Sequence, residues 1–130
     1  MPYGIGMKSQ TFTVRILVVV LALAFAGAGI AKLLSAPMMV AEFALFGYPA
    51  WFLYVVGTLE VLSAIFFLFP RLRAVATGTV VCIMVGAIFS HVTHGQFGMA
   101  VGPIVLLVLA VSLGSLQGWW RGAGRLSTIS

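Results

Sequence analysis

The sequence predicts an all-α integral membrane protein, a four-helix transmembrane bundle with a short interfacial helix between helices 1 and 2. Three observations carry that expectation. Of 130 residues, 62% are hydrophobic and 7% charged, with a mean hydropathy of +1.20, whereas a soluble domain of this size would expose far more charge. The apolar residues gather into four runs, roughly 13–35, 51–69, 74–94 and 98–118, each near the ~20 residues that cross about 30 Å of hydrocarbon as a helix. The runs lack the strict apolar–polar alternation of a membrane barrel strand, so helices satisfy the backbone here. Residues 1–130 thus read as one transmembrane domain, and any chemistry must occur within the bundle or at its surface.

The net charge of +5 is topological rather than a nucleic-acid signal. Lys8 and Arg15 flank the start of the first run, Arg71 and Arg73 fill the turn between the second and third, and Arg121 and Arg125 follow the fourth. In a four-span chain all six fall on one side, with only Lys32 near the other. The positive-inside rule then places both termini in the cytoplasm of a bacterial inner membrane, with the lipid bilayer and its anionic headgroups as partners. Met7–Ala31 also resembles a secretory signal, with Ala24-Phe25-Ala26 as a cleavage-like site, although the apolar stretch is long for one. Met7 is an alternative start.

Taken in order, the first span ends in a run of small residues around Gly27 and Gly29, which admit a close helix neighbour. Lys32 lies about one turn from the outer boundary, where it either snorkels to the headgroups or turns inward. Residues of about 36–47 predict the interfacial helix: Ser35 to cap it, Pro37 in its first turn, Gly47 and Pro49 to stop it. Met38, Met39, Val40, Phe43 and Phe46 are too apolar for water, so this helix is expected to lie over the outer mouth, with Glu42 as a solvated charge. The second span carries Gly57, Glu60 and Ala64 on one face. The third carries Ala74, Gly78, Cys82, Gly86, Ser90 and His94 at steps of four, read as a close helix–helix contact, and the fourth repeats the signal with Gly98/Gly102 and Gly114/Gly118. Cys82 is read as a packing residue. Trp119 and Trp120 beside Arg121 form an interfacial anchor.

Glu60 dominates the functional reading. It is one of two acidic residues and stands mid-way along an apolar span, where an unpaired carboxylate costs roughly 3 kcal/mol or more. At ~1.5 Å per residue it lies roughly 13 Å below the outer surface, with Lys32 and His91 about 4–5 Å deep. Side chains lean toward the N-terminus of their own helix, so Lys32 and His91 lean inward and Glu60 leans outward. The three converge in the outer half of the bundle, with His94 one turn above His91 at the entrance. Thr58, Ser63, Ser90 and Thr93 are candidate hydroxyls. The plain alternative is a buried ion pair that only fixes packing. A haem clamp is disfavoured because both histidines lie three residues apart on one helix. A His91–His94–Glu60 metal site lacks a second-shell acid, so no metal is assigned. A thiol oxidase is disfavoured because Cys82 is the single cysteine.

The ordered set Gly29-x-x-Lys32-Leu33, Phe46-Gly47-x-Pro49, Gly57-x-x-Glu60, Pro70-Arg71 and Ala87-x-x-x-His91 resembles the DoxX-like family. The resemblance implies a small four-helix membrane protein, and a polar pocket mapped onto Gly29, Lys32, Gly57, Glu60 and His91. It also implies an association with quinone-linked membrane oxidoreductases and their soluble or membrane partners. The resulting expectation is an accessory subunit, at most a subunit of such an enzyme, whose Lys32–Glu60–His91 pocket takes a quinone or another small amphipathic ligand. Two alternatives are a proton-coupled small-molecule transporter acting as a homo-oligomer, and an assembly scaffold without ligand.

Overall fold

A computed structural model describes the backbone of residues 2–118 and the side chains of residues 11–118. It contains five helices, α1 (Pro2–Leu33), α2 (Pro37–Leu45), α3 (Ala50–Phe67), α4 (Arg73–Thr93) and α5 (Val101–Gln117), with short 3-10 turns at Pro70–Leu72 and Gly98–Ala100. No strand occurs among the described residues. Four stretches are long and apolar enough to span a bilayer: Thr11–Leu33, Ala50–Phe67, Pro70–Thr93 and Gly98–Gln117. These bounds lie within four residues of the sequence expectation. Trp119, Trp120, Arg121 and Arg125 lie outside the described residues, as does the side chain of Lys8.

The four long helices form a ring in which α1 packs on α3, α3 on α4, α4 on α5 and α5 back on α1, with α2 laid across α1 and α3 at one end. The α1–α3 contact is the most extensive, and its cause is local. A Cβ on Gly29 would stand 2.7 Å from the Gly57 carbonyl oxygen and 3.0 Å from the Val61 nitrogen. A Cβ on Gly57 would stand 3.0 Å from the Gly29 carbonyl. Only hydrogen fits at both positions, so the two backbones touch directly.

The bundle is solid at one end and hollow at the other. Val18, Leu21 and Phe25 of α1, Phe67 of α3, Ala76, Val80 and Met84 of α4, and Leu113 of α5 fill the half remote from α2. Phe25 and Phe67 stack within this filled half at 6.5 Å between centroids. Arg73 ties the remote end together by donating from Nε to the Phe67 carbonyl at 2.7 Å.

Three helix ends shape the α2 end. α1 ends on Ser35 at φ 57, with Ser35 and Ala36 donating back to Lys32 and Ala31. α2 ends on Gly47 at φ 79 and α4 on Gly95 at φ 71, each with the same paired back-bonds, from Tyr48 to Phe43 and from Gln96 to His91. The expected Ser35 N-cap is corrected: Ala36 is the N-cap of α2, with Pro37 in the first turn. Ser35 is spent terminating α1, and its hydroxyl meets the Tyr54 hydroxyl at 2.6 Å.

The small-residue stripe of α4 is also corrected. Ala74, Gly78, Cys82 and Gly86 are exposed, and a Cβ on Gly78 or Gly86 would meet nothing within 4 Å. Steps of four advance about 400° around a helix of 3.6 residues per turn, so the stripe drifts about 40° per step. It starts on the outside at Ala74 and turns inward only at Ser90, which is buried. Gly98 and Gly102 likewise border open space, whereas Gly114 is buried.

The contrast between these glycines is testable by thermal unfolding in detergent. Gly29→Ala forces a backbone shift and is expected to destabilise by about 1–3 kcal/mol, while Gly86→Ala stays within roughly 0.5 kcal/mol of wild type. Equal effects would contradict the α1–α3 contact.

Candidate functional site

α1 and α3 run antiparallel, so the Gly29–Gly57 contact sets the turn after Gly29 beside Gly57 and the turn after Gly57 beside Gly29. Lys32 follows Gly29 by three residues and Glu60 follows Gly57 by three, so they flank the contact on opposite sides and reach toward each other across it, each leaning toward the N-terminus of its own helix. Lys32 Nζ lies 2.7 Å from Glu60 Oε1. Glu60 is 1% exposed, and Lys32 is the cation that counters its carboxylate. Removing either partner strands a charge in the bundle, a change that costs about 3–5 kcal/mol in buried pairs.

Both residues border a cavity of about 490 Å³ that occupies the hollow half. Its walls come from α1, α3, α4 and α5, and α2 with Tyr48 forms its roof. The lining is mostly apolar, which with a few convergent polar groups is the usual make-up of a small-molecule site.

The second acid–base pair was not expected. His91 Nε2 lies 2.9 Å from Glu42 Oε1, so His91 serves the roof rather than Glu60, and Glu42 is not the solvated residue the sequence suggested. The other ring nitrogen, Nδ1, lies 2.9 Å from Gln96 Oε1. The turn at Gly95 is what brings Gln96 back beside His91.

Hydroxyls and rings complete the roof. Ser90 Oγ donates to the Gly86 carbonyl at 2.9 Å, so it accepts from the hydroxyl of Tyr48, its other partner. Phe46 packs between His91 and His94, with centroids at 5.2 and 4.9 Å. Tyr48 packs against Phe43 at 5.7 Å and Phe52 at 5.2 Å.

Of the residues singled out from sequence, Lys32, Glu60 and His91 border the cavity. His94 is exposed above it, with Nδ1 donating to the Ser90 carbonyl at 2.8 Å. Gly29 and Gly57 lie in the helix contact beneath the Lys32–Glu60 pair rather than in the cavity wall. Among the candidate hydroxyls only Ser90 reaches the cavity; Thr58 and Thr93 bond carbonyls of their own helices. Cys82, expected as packing, is exposed on α4 and borders the cavity. Sequence reasoning missed Glu42, Tyr48 and Gln96. For Glu42 a signal existed: Met39, Glu42, Phe43 and Phe46 follow the i, i+3, i+4, i+7 pattern of one helix face, and all four border the cavity.

Fold and cavity define a class: a small helical membrane protein with acid–base pairs facing an internal apolar chamber. The chain belongs to the DoxX-like family, whose model matches residues 16–113. It is also similar to the uncharacterized protein YdgD of Bacillus subtilis (strain 168), at 30% identity over 94 residues, covering 69% of this chain and 82% of that protein. No solved structure matches the chain.

If Glu42 and His91 hold the roof down, Glu42→Ala should release it. Loss of a charge-assisted contact is worth about 1.5–3 kcal/mol, so amide hydrogen exchange across residues 39–48 is expected to quicken at least roughly tenfold, with α1 and α3 unchanged. Unaltered exchange in the roof would show that the aromatic contacts alone secure it.

Proposed function

We propose that the chain is an accessory subunit of a membrane oxidoreductase system, and that its cavity binds a quinone-like or other small amphipathic ligand. One observation carries this reading: a carboxylate that is 1% exposed borders an apolar cavity of about 490 Å³, with its charge countered from only one side by Lys32. Packing alone would have filled that volume with side chains, as it does at the other end of the bundle.

The polar groups suit a carbonyl-bearing ligand. Lys32 has three N–H donors and directs one toward Glu60, leaving two for a ligand oxygen. His91 has both ring nitrogens engaged, so the donor role falls to Lys32. Glu60 beside it would hold or accept the proton that accompanies reduction of a carbonyl. A bound quinone would supply a two-electron acceptor, and the electrons would come from a partner protein. By the distribution of basic residues, the roofed end faces away from the cytoplasm, in a bacterial plasma membrane, with both termini inside. The transporter alternative is weakened because Lys32 already occupies Glu60.

A thermal-shift titration tests the reading with a defined probe. A short-chain benzoquinone added to the detergent-solubilised protein is expected to raise the melting temperature of wild type by about 4–8 °C per kcal/mol of linkage, and not that of Glu60→Gln. An equal shift in both would remove Glu60 from the site.

A further inference from the structure

The cavity is closed where it faces the membrane surface and open where it faces the lipid. Above it lies the α2 roof, held by the Glu42–His91 pair and the rings around Tyr48. Its side wall is different. Val55 and Leu59, one turn apart on α3, border the cavity yet are 42% and 40% exposed. Cys82 and Gly86, one turn apart on the neighbouring α4, also border it and are exposed too. Residues that both line a cavity and reach the surface mark its mouth. A Cβ on Gly86 would meet nothing within 4 Å, so nothing plugs the gap. These four residues lie inside the spans Ala50–Phe67 and Pro70–Thr93, five or more residues from either end, where the surroundings are hydrocarbon.

We infer that the mouth between α3 and α4 is a lateral window, and that the ligand is a membrane-dissolved amphiphile with a neutral, hydrogen-bonding head and a single apolar chain. The inference rests on the pocket reading above and specifies its ligand class. The head lies at Lys32 and Glu60, whose charges cancel; a charged head would have to displace one of them, whereas a neutral one uses the spare lysine donors. The chain leaves through the window past Leu59 and Gly86 into the bilayer, so only the head loses contact with its former surroundings. The ligand arrives from the leaflet and does not cross the roof.

A photoactivatable hexadecanol carrying a diazirine on its chain, incorporated with the protein into phosphatidylcholine vesicles, provides the probe. After irradiation, peptide mass spectrometry is expected to find crosslinks concentrated at Val55, Leu59 and Cys82. Gly86→Phe, which fills open space and leaves the fold intact, should abolish them, as should Leu59→Trp from the opposite edge. Crosslinks spread evenly over lipid-facing positions such as Phe12 and Val108, or undiminished in both variants, would overturn the window. The pocket reading fails separately: window crosslinks that vanish in Gly86→Phe but persist unchanged in Glu60→Gln would uphold the window and remove the polar head site.

Discussion

The direct backbone contact between α1 and α3 at Gly29 and Gly57 is the constraint on which the rest of this structure depends. Two helices in a bilayer gain no hydrophobic drive toward one another, so they associate where small residues let their backbones meet. Here that meeting point also sets chemistry. Lys32 stands one turn to one side of that contact and Glu60 one turn to the other, and the close approach lets their side chains meet across it, the ammonium 2.7 Å from the carboxylate. Without the glycines the charges would be carried apart, and each would face hydrocarbon alone. The packing motif and the polar pair are therefore one device.

The second pair obeys a different logic. Glu42 sits on α2, a helix of nine residues with none fully buried, which is too short to be stable by itself in water. Its position is fixed from outside, by His91 on α4 and by aromatic packing around Tyr48. His91 in turn is oriented by Gln96, delivered by the left-handed turn at Gly95. The roof is thus tied to the far side of the bundle, and the cavity beneath it is bounded by two acid–base pairs from four separate helices. The tightly filled half provides the rigidity that lets the other half stay hollow.

Much of this was legible in the sequence. Hydropathy runs mark all four spans because a bilayer admits few solutions for the backbone. The convergence of Lys32 and Glu60 followed from depth and from the direction in which helical side chains lean. The partner of His91 did not, because its identity depends on where α2 lies, and a nine-residue amphipathic segment does not announce its tertiary contacts. The α4 stripe misled for a geometric reason: a repeat of four drifts around the helix, so Gly78 and Ser90 share a pattern without sharing a surface. Gly29 and Gly57 resisted full interpretation for a related reason, since spacing shows that small residues align but not whether they touch a helix or a ligand.

The central claim is that the hollow half exists to hold a molecule. Native mass spectrometry of the protein extracted in mild detergent, wild type beside Glu60→Gln, tests it most directly. The account predicts a bound small molecule on wild type, released on activation, and its loss from the variant with the fold preserved. Wild type and variant that fly with identical masses apart from the substitution, both empty, would contradict it and leave the Lys32–Glu60 pair as a packing element.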